Sequence, residues 1–537
     1  GLAALGLLAP VYMIFNVFDL GMAIGGSVHY TKLLGEGKAK EGVGSFNQML
    51  QASLFLSLLM AIFGRLFLPQ IMMILGTNPS DGVLYEAARS YAGILILAAP
   101  LFFLNFMLYF YVRCDDNQKL ASVGLIIGNV VDILLNFIFV IILNKGVEGA
   151  VFATVIGKAL AICIYLPHLF FKSTIIRLKY VKPNIKLIWN NFKNGFSTSS
   201  QYIFQFLLFL IINNLLIRLG GENTLAIFNV VINVSYVLIA LYDGMGSIIQ
   251  PLVGTFYGEK NKKAEIFTLI LGLKWGIALG TLMALLIGIF AGPIGTTFGL
   301  NVESLTIGTK ALRLYCISTI IGGISVMMSY YYQAVGEGKL VFLINFLRTF
   351  AVYLTFGLLF CTFGIKFFWW TFPATEAVSL ILWLLWKSYQ NKRKCDHLES
   401  MFDESRILCK TVEKNEDFSR LTAEAQEFCN KWSASFSQRY YVNLTVEELC
   451  QAIILNGFAS MEGGYIELTL IANEDNSFEL HIRDNATELN LFDLHTKKIN
   501  RDNEEGLDSI GLLMVKNRAK EIFYRRYQGF NTITVKV

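Results

Sequence analysis

Eleven apolar segments, each long enough to cross a lipid bilayer, restrict the fold of this chain more than any other feature of its sequence. Of its 537 residues, 54% are hydrophobic, a composition that excludes an ordinary soluble protein. The segments lie near residues 6–31, 49–71, 88–112, 119–143, 147–171, 195–217, 225–252, 264–290, 307–332, 341–363 and 367–389. We therefore predict a polytopic α-helical membrane protein that is followed by a C-terminal soluble domain.

The positive charges of the loops predict the orientation of the segments. If Gly1 lies outside, the inner loops carry nineteen Lys and Arg residues and the outer loops carry four. Cytoplasmic loops have such an excess. Residues 1–390 carry 26 basic and 16 acidic side chains, whereas residues 391–537 carry 19 and 24. We therefore expect a basic multi-pass part in the cell membrane and an acidic C-terminal part in the cytoplasm.

Short polar motifs repeat along the membrane part. The sequence GEGK at 35–38 corresponds to GEK at 258–260, and the next motif of each half begins at Arg113 and at Gln333. These spacings are 78 and 75 residues. Two repeated bundles are typical of secondary transporters, whose binding sites lie near the middle of the membrane. Because the first half has five spans and the second has six, we expect a further span before Gly1 and twelve in all.

A carboxylate in the middle of a span is the strongest candidate for a functional group. Asp132 and Asn136 are four residues apart and share one helix face, and Thr154 lies on the next span after a tight turn at 144–148. Keeping a carboxylate inside a bilayer is costly, which favours a functional role. The alternative is a polar contact that holds helices together.

Other polar groups within the spans have two interpretations each. Asp19 either faces a cavity or lies near a wet end of its span. Asp243 and Glu376 either line a cavity or bridge two helices. Lys158 either pairs with an acid or extends its ammonium group to the membrane surface. Pro100, inside the third span, predicts a kink.

Residues 1–389 contain a series of short motifs: GGS at 25–27, LGEG at 34–37, Arg113 with NQK at 117–119, GVEGA at 146–150 with AT at 153–154, and QPLVG at 250–254 with YG at 257–258. In their order and spacing, these motifs resemble those of the MATE (multidrug and toxic compound extrusion) transporters. The resemblance implies two lobes of six spans each. It also implies export of small organic, mostly cationic compounds in exchange for H+ or Na+.

In this family an Asn and an Asp, four residues apart on the fifth helix, bind the coupling proton or cation together with a Thr eighteen residues further on. Asp132, Asn136 and Thr154 match this spacing, with the Asp and the Asn exchanged. The resemblance therefore implies that these three residues bind the coupling ion. Asp19 and Asp243 are the remaining candidates for ion or substrate binding. The family's other acidic site is missing, since spans 195–217 and 307–332 contain no Asp or Glu.

In the soluble tail, segments whose apolar residues recur with the period of a strand alternate with segments that have the period of a helix. The tail contains no proline. Strands are predicted at 406–413, 465–472, 477–483, 521–526 and 531–537, and helices at 417–434, 440–458 and 510–520. This order resembles the GHKL ATPases, in particular the anti-sigma-factor serine kinases, and implies an α/β sandwich. The eight cysteines show no CxxC spacing, so no zinc site or disulfide framework is predicted.

The GHKL resemblance implies a site for ATP with Mg2+. Glu448 matches the general base, and Asp484 matches the carboxylate that binds the adenine amino group. Gly506 and Gly511 match the glycines before a helix that let its backbone approach the phosphates.

The metal position of the tail departs from the GHKL pattern. Ala452 stands where the family has the Asn that ligates Mg2+. A register shifted by one residue makes Glu447 the base and Gln451 the metal ligand. The tail is therefore interpreted either as a nucleotide-binding domain or as a related fold that is kept for protein contacts.

These observations predict five regions and a function. Residues 1–172 form the N-lobe, 173–194 a cytosolic linker, 195–389 the C-lobe, 390–405 a second linker and 406–537 the ATPase-like domain. We expect an antiporter with a regulatory tail, whose partners are the lipid bilayer, a small organic substrate and a cytosolic regulatory protein, without nucleic acid. The alternative is a membrane-anchored sensor that resembles a serine kinase and uses the transporter fold to bind a signal.

Overall fold

The computed structural model describes residues 9–75, 77, 79, 82–171, 174–397, 404–413, 419–458, 463–473, 475–488 and 505–537. The chain divides into two compact units. The first contains Gly1–Lys32, Lys40–Tyr257 and Lys263–Tyr389, and the second contains Leu33–Ala39, Gly258–Lys262 and Gln390–Val537.

Long apolar helices build the first unit. Those of its N-lobe are α1 (Ala9–Gly35), α2 (Ala39–Leu66), α3 (Leu68–Ile74), α4 (Val83–Leu97), α5 (Ala99–Cys114), α6 (Gln118–Asn136) and α7 (Gly146–Tyr165). Helix α6 continues as a π-helical turn, Phe137–Ile142, and α7 ends in the 3-10 turn Leu166–Leu169. Asn117 begins α6 because its Oδ1 accepts a hydrogen bond from the backbone N–H of Leu120 (3.2 Å).

The C-lobe begins with one long helix, α8. Its helices are α8 (Ile185–Gly258), α9 (Lys262–Ile289), α10 (Ala291–Thr297), α11 (Val302–Ala334), α12 (Gly338–Phe346), α13 (Val352–Phe363) and α14 (Thr371–His397). A π-helical turn, Leu347–Ala351, joins α12 to α13, and the 3-10 turn Ile365–Trp370 joins α13 to α14. Helix α8 is broken at Gly221, whose φ of 69° is outside the helical region.

The membrane helices agree with the predicted segments. Within the described part of the chain, nine helices are long and apolar enough to span a membrane, and the bent pair formed by α4 and α5 adds a tenth. Since α8 is two spans on either side of Gly221, the eleven predicted spans are all present. The bend of 49° between α4 and α5 lies just before Pro100, where the sequence predicted a kink.

The second unit contains a five-stranded antiparallel sheet in the order β1-β2-β3-β5-β4. The strands are β1 (Ile407–Glu413), β2 (Tyr465–Ala472), β3 (Phe478–Asp484), β4 (Glu521–Tyr527) and β5 (Phe530–Lys536). The helices are α15 (Ser419–Lys431), α16 (Phe436–Ala452) with the π-helical turn Ile453–Gly457, and α17 (Glu505–Arg518). A 3-10 turn, Glu404–Arg406, precedes β1.

One hydrophobic core joins the helices to the sheet and makes this unit an α/β sandwich. Phe428 of α15, Val446 of α16 and Leu512 of α17 are buried against Leu480 of β3 and Ile533 of β5. These contacts place helices on one face of the sheet, as the predicted ATPase-like fold requires.

The predicted start of the last helix in the tail is wrong. The sequence placed the last helix at 510–520, whereas α17 already begins at Glu505. Gly506 and Gly511 therefore lie inside a helix and not in a loop before it. Leu512 and Val515, three residues apart on one face of α17, are buried and anchor this helix in the core.

Candidate functional site

The three polar residues predicted to act together in the N-lobe meet between α6 and α7. Asp132 Oδ1 accepts hydrogen bonds from Asn136 Nδ2 (2.8 Å) and from Thr154 Oγ1 (3.1 Å). Both donors are neutral, so they solvate the carboxylate without neutralising its charge. The cluster can therefore accept a proton or a small cation.

Glycines bring the two helices together at this cluster. A Cβ on Gly157 would lie 2.6 Å from the carbonyl oxygen of Gly128 and 3.1 Å from the Cβ of Asp132. Only glycine permits so close an approach, which is a common way of packing membrane helices. Asn136 is also the last α-helical residue of α6, and the π-helical turn begins directly after it. Such turns are frequent at functional sites.

Further polar groups lie in the N-lobe. The hydroxyl groups of Tyr12 on α1 and Tyr91 on α4 are 2.7 Å apart. Lys158 follows Thr154 by four residues on α7, and its Nζ lies 6.0 Å from the centre of the Phe106 ring. Asp19 is only 1% exposed, which places it in the interior of the lobe and not at a wet end of its span.

The sequence analysis did not identify the tyrosine pair, because a tyrosine within a membrane span does not by itself indicate a functional site.

The C-lobe contains a cavity of about 220 Å³. Aromatic and polar side chains line it together, among them Gln201, Tyr202, Gln205, Phe209, Tyr236, Asp243, Tyr315, Tyr330, Arg348, Tyr353, Phe372 and Glu376. Asp243 and Glu376 therefore lie in the cavity wall, and their hydrogen bonds to Tyr330 and Arg348 also connect them to other helices.

The three charged side chains of this cavity carry one net negative charge. Arg348 Nε donates to both carboxylate oxygens of Glu376, each at 2.8 Å. Asp243 Oδ1 accepts a hydrogen bond from the hydroxyl of Tyr330 at 3.3 Å. Because Arg348 is paired with Glu376, the Asp243 carboxylate is left to attract a cation.

In the tail, the predicted adenine-binding carboxylate is buried, and one of its oxygens accepts two hydrogen bonds. Asp484, at the end of β3, is 1% exposed, and its Oδ1 accepts from the backbone N–H of Ala486 (2.9 Å) and from Asn531 Nδ2 (2.8 Å). Burial raises the pKa of Asp484, and the two hydrogen bonds act in the opposite direction. Asn531 was not identified from the sequence, since only the pairing of β3 with β5 places it beside Asp484.

The predicted catalytic and metal residues of the tail lie on α16. The carboxylate of Glu448 contacts Gly511 so closely that a Cβ on this residue would overlap it. Gln451 is exposed, and Ala452 is buried at 8% exposure in the core.

These residues do not fit the ATP–Mg2+ site that the fold implies. Ala452 has no oxygen or nitrogen for a metal, and Glu448 fills the space beside Gly511. Within the described ranges, no group of three or more His, Cys, Asp or Glu side chains can hold a metal ion.

Comparisons with known proteins agree with this architecture. The family model MatE matches residues 1–138 and 198–359, and the model of the histidine kinase-like ATPase domain matches residues 412–537. The multidrug export protein MepA of Staphylococcus haemolyticus is 22% identical over 345 residues, which cover 63% of this chain and 74% of that protein. MepA of Staphylococcus saprophyticus is 23% identical over 356 residues, with the same coverage of both chains.

Solved structures share the fold of the membrane part. The outward-facing conformation of a multidrug resistance MATE family transporter superimposes with a TM-score of 0.68 at 22% identity, and covers 74% of this chain and 89% of that one. A transporter of the MOP superfamily from Pyrococcus furiosus has a TM-score of 0.67 at 22% identity, and covers 73% and 88%. Since the MatE model matches more than half of its residues, the chain belongs to the MatE family of membrane transporters and carries a histidine kinase-like ATPase domain at its C-terminus.

Proposed function

We propose that this protein is a secondary active antiporter of the cell membrane that exports organic cations in exchange for H+ or Na+. The observation that carries the proposal is the Asp132 carboxylate, held between α6 and α7 by Asn136 and Thr154. A carboxylate with neutral partners inside a membrane domain is a typical place for a coupling ion.

The contacts of Asp132 suggest how ion binding acts on the helices. Asn136 belongs to the same helix as Asp132, whereas Thr154 belongs to α7. An ion or proton that binds Oδ1 competes with these two donors. Its binding therefore changes the contact between α6 and α7. A ligand shifts a conformational equilibrium only through such a difference in contacts. The direct packing of Gly128 on Gly157 passes this change to the backbone of both helices.

The C-lobe cavity supports a cationic substrate. Asp243 supplies the charge, and aromatic rings such as Tyr202, Tyr236 and Phe372 supply faces that attract cations and pack against flat organic molecules. The relatives in Staphylococcus are named multidrug export proteins. We extend this activity to the present chain as part of the proposal.

The Asp243→Asn variant tests the substrate site. We expect the affinity for ethidium, a flat monovalent cation, to fall by about tenfold, because one charge contact of moderate strength is lost. Fluorescence titration of the purified chain measures this change. The matched control is Glu41→Gln at the exposed start of α2, which should bind ethidium as the wild type does. Unchanged binding by Asp243→Asn would remove this residue from the site.

The tail is proposed to be a cytoplasmic regulatory domain. Within the second unit, Arg483 of β3 forms an ion pair with Glu259 (3.8 Å), and Lys260 Nζ donates to Asn473 Oδ1 (3.1 Å). Glu259 and Lys260 belong to the repeated GEK motif. A domain that holds this motif can regulate transport without hydrolysing ATP. The sensor-kinase alternative requires a metal site, and Ala452 argues against it.

ATP binding by the full-length chain is expected to be weak or absent, and unchanged by a chelator, because Ala452 cannot ligate Mg2+. The Ala452→Asn variant restores the amide of the family pattern and should make any binding sensitive to the chelator. Asp484→Ala should remove residual binding. Calorimetry with and without EDTA measures all three. Micromolar affinity of the wild type that collapses in EDTA would instead favour the kinase interpretation, with Gln451 or another group as the metal ligand.

A further inference from the structure

The tail sheet has a polar face that is buried. Side chains alternate between the two faces of a strand, and Leu480 and Ile533 lie in the core with the helices. Their neighbours His481 and Thr534 belong to the opposite face, where they are only 3% and 7% exposed. Polar side chains on the open face of a sheet normally lie in water. Another part of the chain therefore covers this face.

Two loops from the transporter lobes belong to the same compact unit as the tail. The N-lobe loop, Leu33–Ala39, contains the turn between α1 and α2, and the C-lobe loop, Gly258–Lys262, connects α8 to α9. These loops carry the repeated motifs GEGK and GEK, so they occupy corresponding places in the two halves of the membrane part. The tail thus gathers one equivalent loop from each lobe.

The C-lobe loop contacts the polar face through charged and amide side chains. Glu259 pairs with Arg483 of β3, and Asn261 Nδ2 donates a hydrogen bond to Glu467 Oε1 of β2. Glu467 and Arg483 are directly opposite each other in the pairing of the two strands. Because Glu259 and Asn261 are only 7% and 5% exposed, these contacts are shielded from water.

The N-lobe loop packs against the same face through a glycine. A Cβ on Gly37 would lie 3.2 Å from Thr534 Cγ2 and 3.7 Å from Phe523 Cβ, and these two residues pair between β5 and β4. Gly37 also has a φ of 75°, a conformation that favours glycine. Both the backbone conformation and the close approach therefore suit a glycine at this position.

We propose that the polar face of the tail sheet is a docking surface for these two loops, and that docking restrains transport by tying the N-lobe to the C-lobe. This inference rests on the proposed antiport function and specifies how the tail regulates it. Hydrogen-bonded strands keep the two docked loops at a fixed separation. Transporters built from two repeated bundles move one bundle against the other, so the transport cycle requires that one loop leaves the sheet.

The chemistry of the contacts suits reversible docking. The C-lobe loop is held by an ion pair and by hydrogen bonds, and the N-lobe loop by a small packing contact. Interfaces between parts that separate and rejoin are more polar than permanent ones.

Cysteine cross-linking in the full chain tests the docking itself. In Gly37→Cys/Thr534→Cys the two Cβ atoms are 3.5 Å apart, a separation that a disulfide spans. We expect copper phenanthroline to link them, as detected by mass spectrometry of the peptides. The control Gly37→Cys/Glu427→Cys has its second thiol at an exposed position of α15, on the helical face of the sheet, and should not be linked. Equal linking in both variants would overturn the docking, whatever the transport activity.

Variants of the C-lobe contacts test the restraint. Arg483→Ala removes the ion pair with Glu259, and Lys260→Met removes the hydrogen bond to Asn473. Each should raise the rate of ethidium accumulation in proteoliposomes by about fivefold, the factor that corresponds to one polar contact of ordinary strength. Arg420→Ala removes an exposed arginine from α15 and should transport as the wild type does.

The outcomes distinguish this inference from the proposed function. Wild-type vesicles receive either a pH gradient or a Na+ gradient, and accumulation of ethidium with neither would overturn antiport itself. Accumulation in the wild type that is no faster in Arg483→Ala and Lys260→Met would overturn the restraint and leave antiport intact. If Arg483→Ala does not fold, Lys260→Met decides the matter, since this residue lies on the loop and not in the sheet.

Discussion

Asp132→Asn is expected to reduce gradient-driven export of ethidium to the rate of empty vesicles. The amide cannot take up a proton or balance a cation, so the ion gradient can no longer do work on the substrate. The fold should persist, because an amide oxygen at the same place still accepts the hydrogen bonds of Asn136 and Thr154. Ethidium accumulation in proteoliposomes and thermal unfolding in detergent measure these two expectations separately.

Two matched variants show whether the effect is specific to this carboxylate. Glu41→Gln removes a carboxylate at the exposed start of α2 and should transport as the wild type does. Thr154→Val keeps the carboxylate but loses the hydrogen bond from α7, so we expect a reduced rate and not a complete loss. Full transport by Asp132→Asn would show that the coupling group lies elsewhere.

The second large effect is expected at the ion pair of the C-lobe. In Arg348→Ala the carboxylate of Glu376 loses both contacts of 2.8 Å while it stays largely buried, with 14% of its side chain exposed. Breaking a buried pair by removing one partner costs about 3–5 kcal/mol. The negative charge of Asp243 in the same cavity adds repulsion. Thermal unfolding of the purified chain should therefore occur at a clearly lower temperature.

The double variant Arg348→Met/Glu376→Met separates the ion pair from simple packing. It removes both charges, and we expect it to regain a large part of the lost stability. Lys310→Ala, at an exposed position of α11, is the control for the loss of a positive charge and should change stability little. The account of the pair fails if Arg348→Ala unfolds at the same temperature as Lys310→Ala.

The sequence predicted the elements of this fold well because local patterns determine them. Apolar runs of more than twenty residues have few alternatives to a membrane helix, and Pro100 marked the bend between α4 and α5. In the tail, the predicted strand at 465–472 has the bounds of β2. The start of α17 at Glu505 was missed because nothing in the polar residues before position 510 indicates a helix.

The candidate site was predictable only where its residues are close in sequence. Asp132 and Asn136 are one helical turn apart, and Thr154 follows after a single tight turn. Partners that meet through tertiary packing carry no such signal. Arg348, in the π-helical turn after α12, is 28 residues from Glu376, and Asp484 and Asn531 meet only through the pairing of β3 with β5.

Coupled flux is the most direct test of antiport. Proteoliposomes are loaded with ethidium and with a pH-sensitive dye, in sodium-free buffer without an initial pH gradient. A second set of vesicles has Na+ in the outer buffer and reports the internal Na+ concentration. The account predicts that movement of ethidium out of wild-type vesicles drives protons in when Na+ is absent, or Na+ in when Na+ is present, and that neither exchange occurs with Asp132→Asn. Ethidium movement through the wild type that changes neither the internal pH nor the internal Na+ would contradict it.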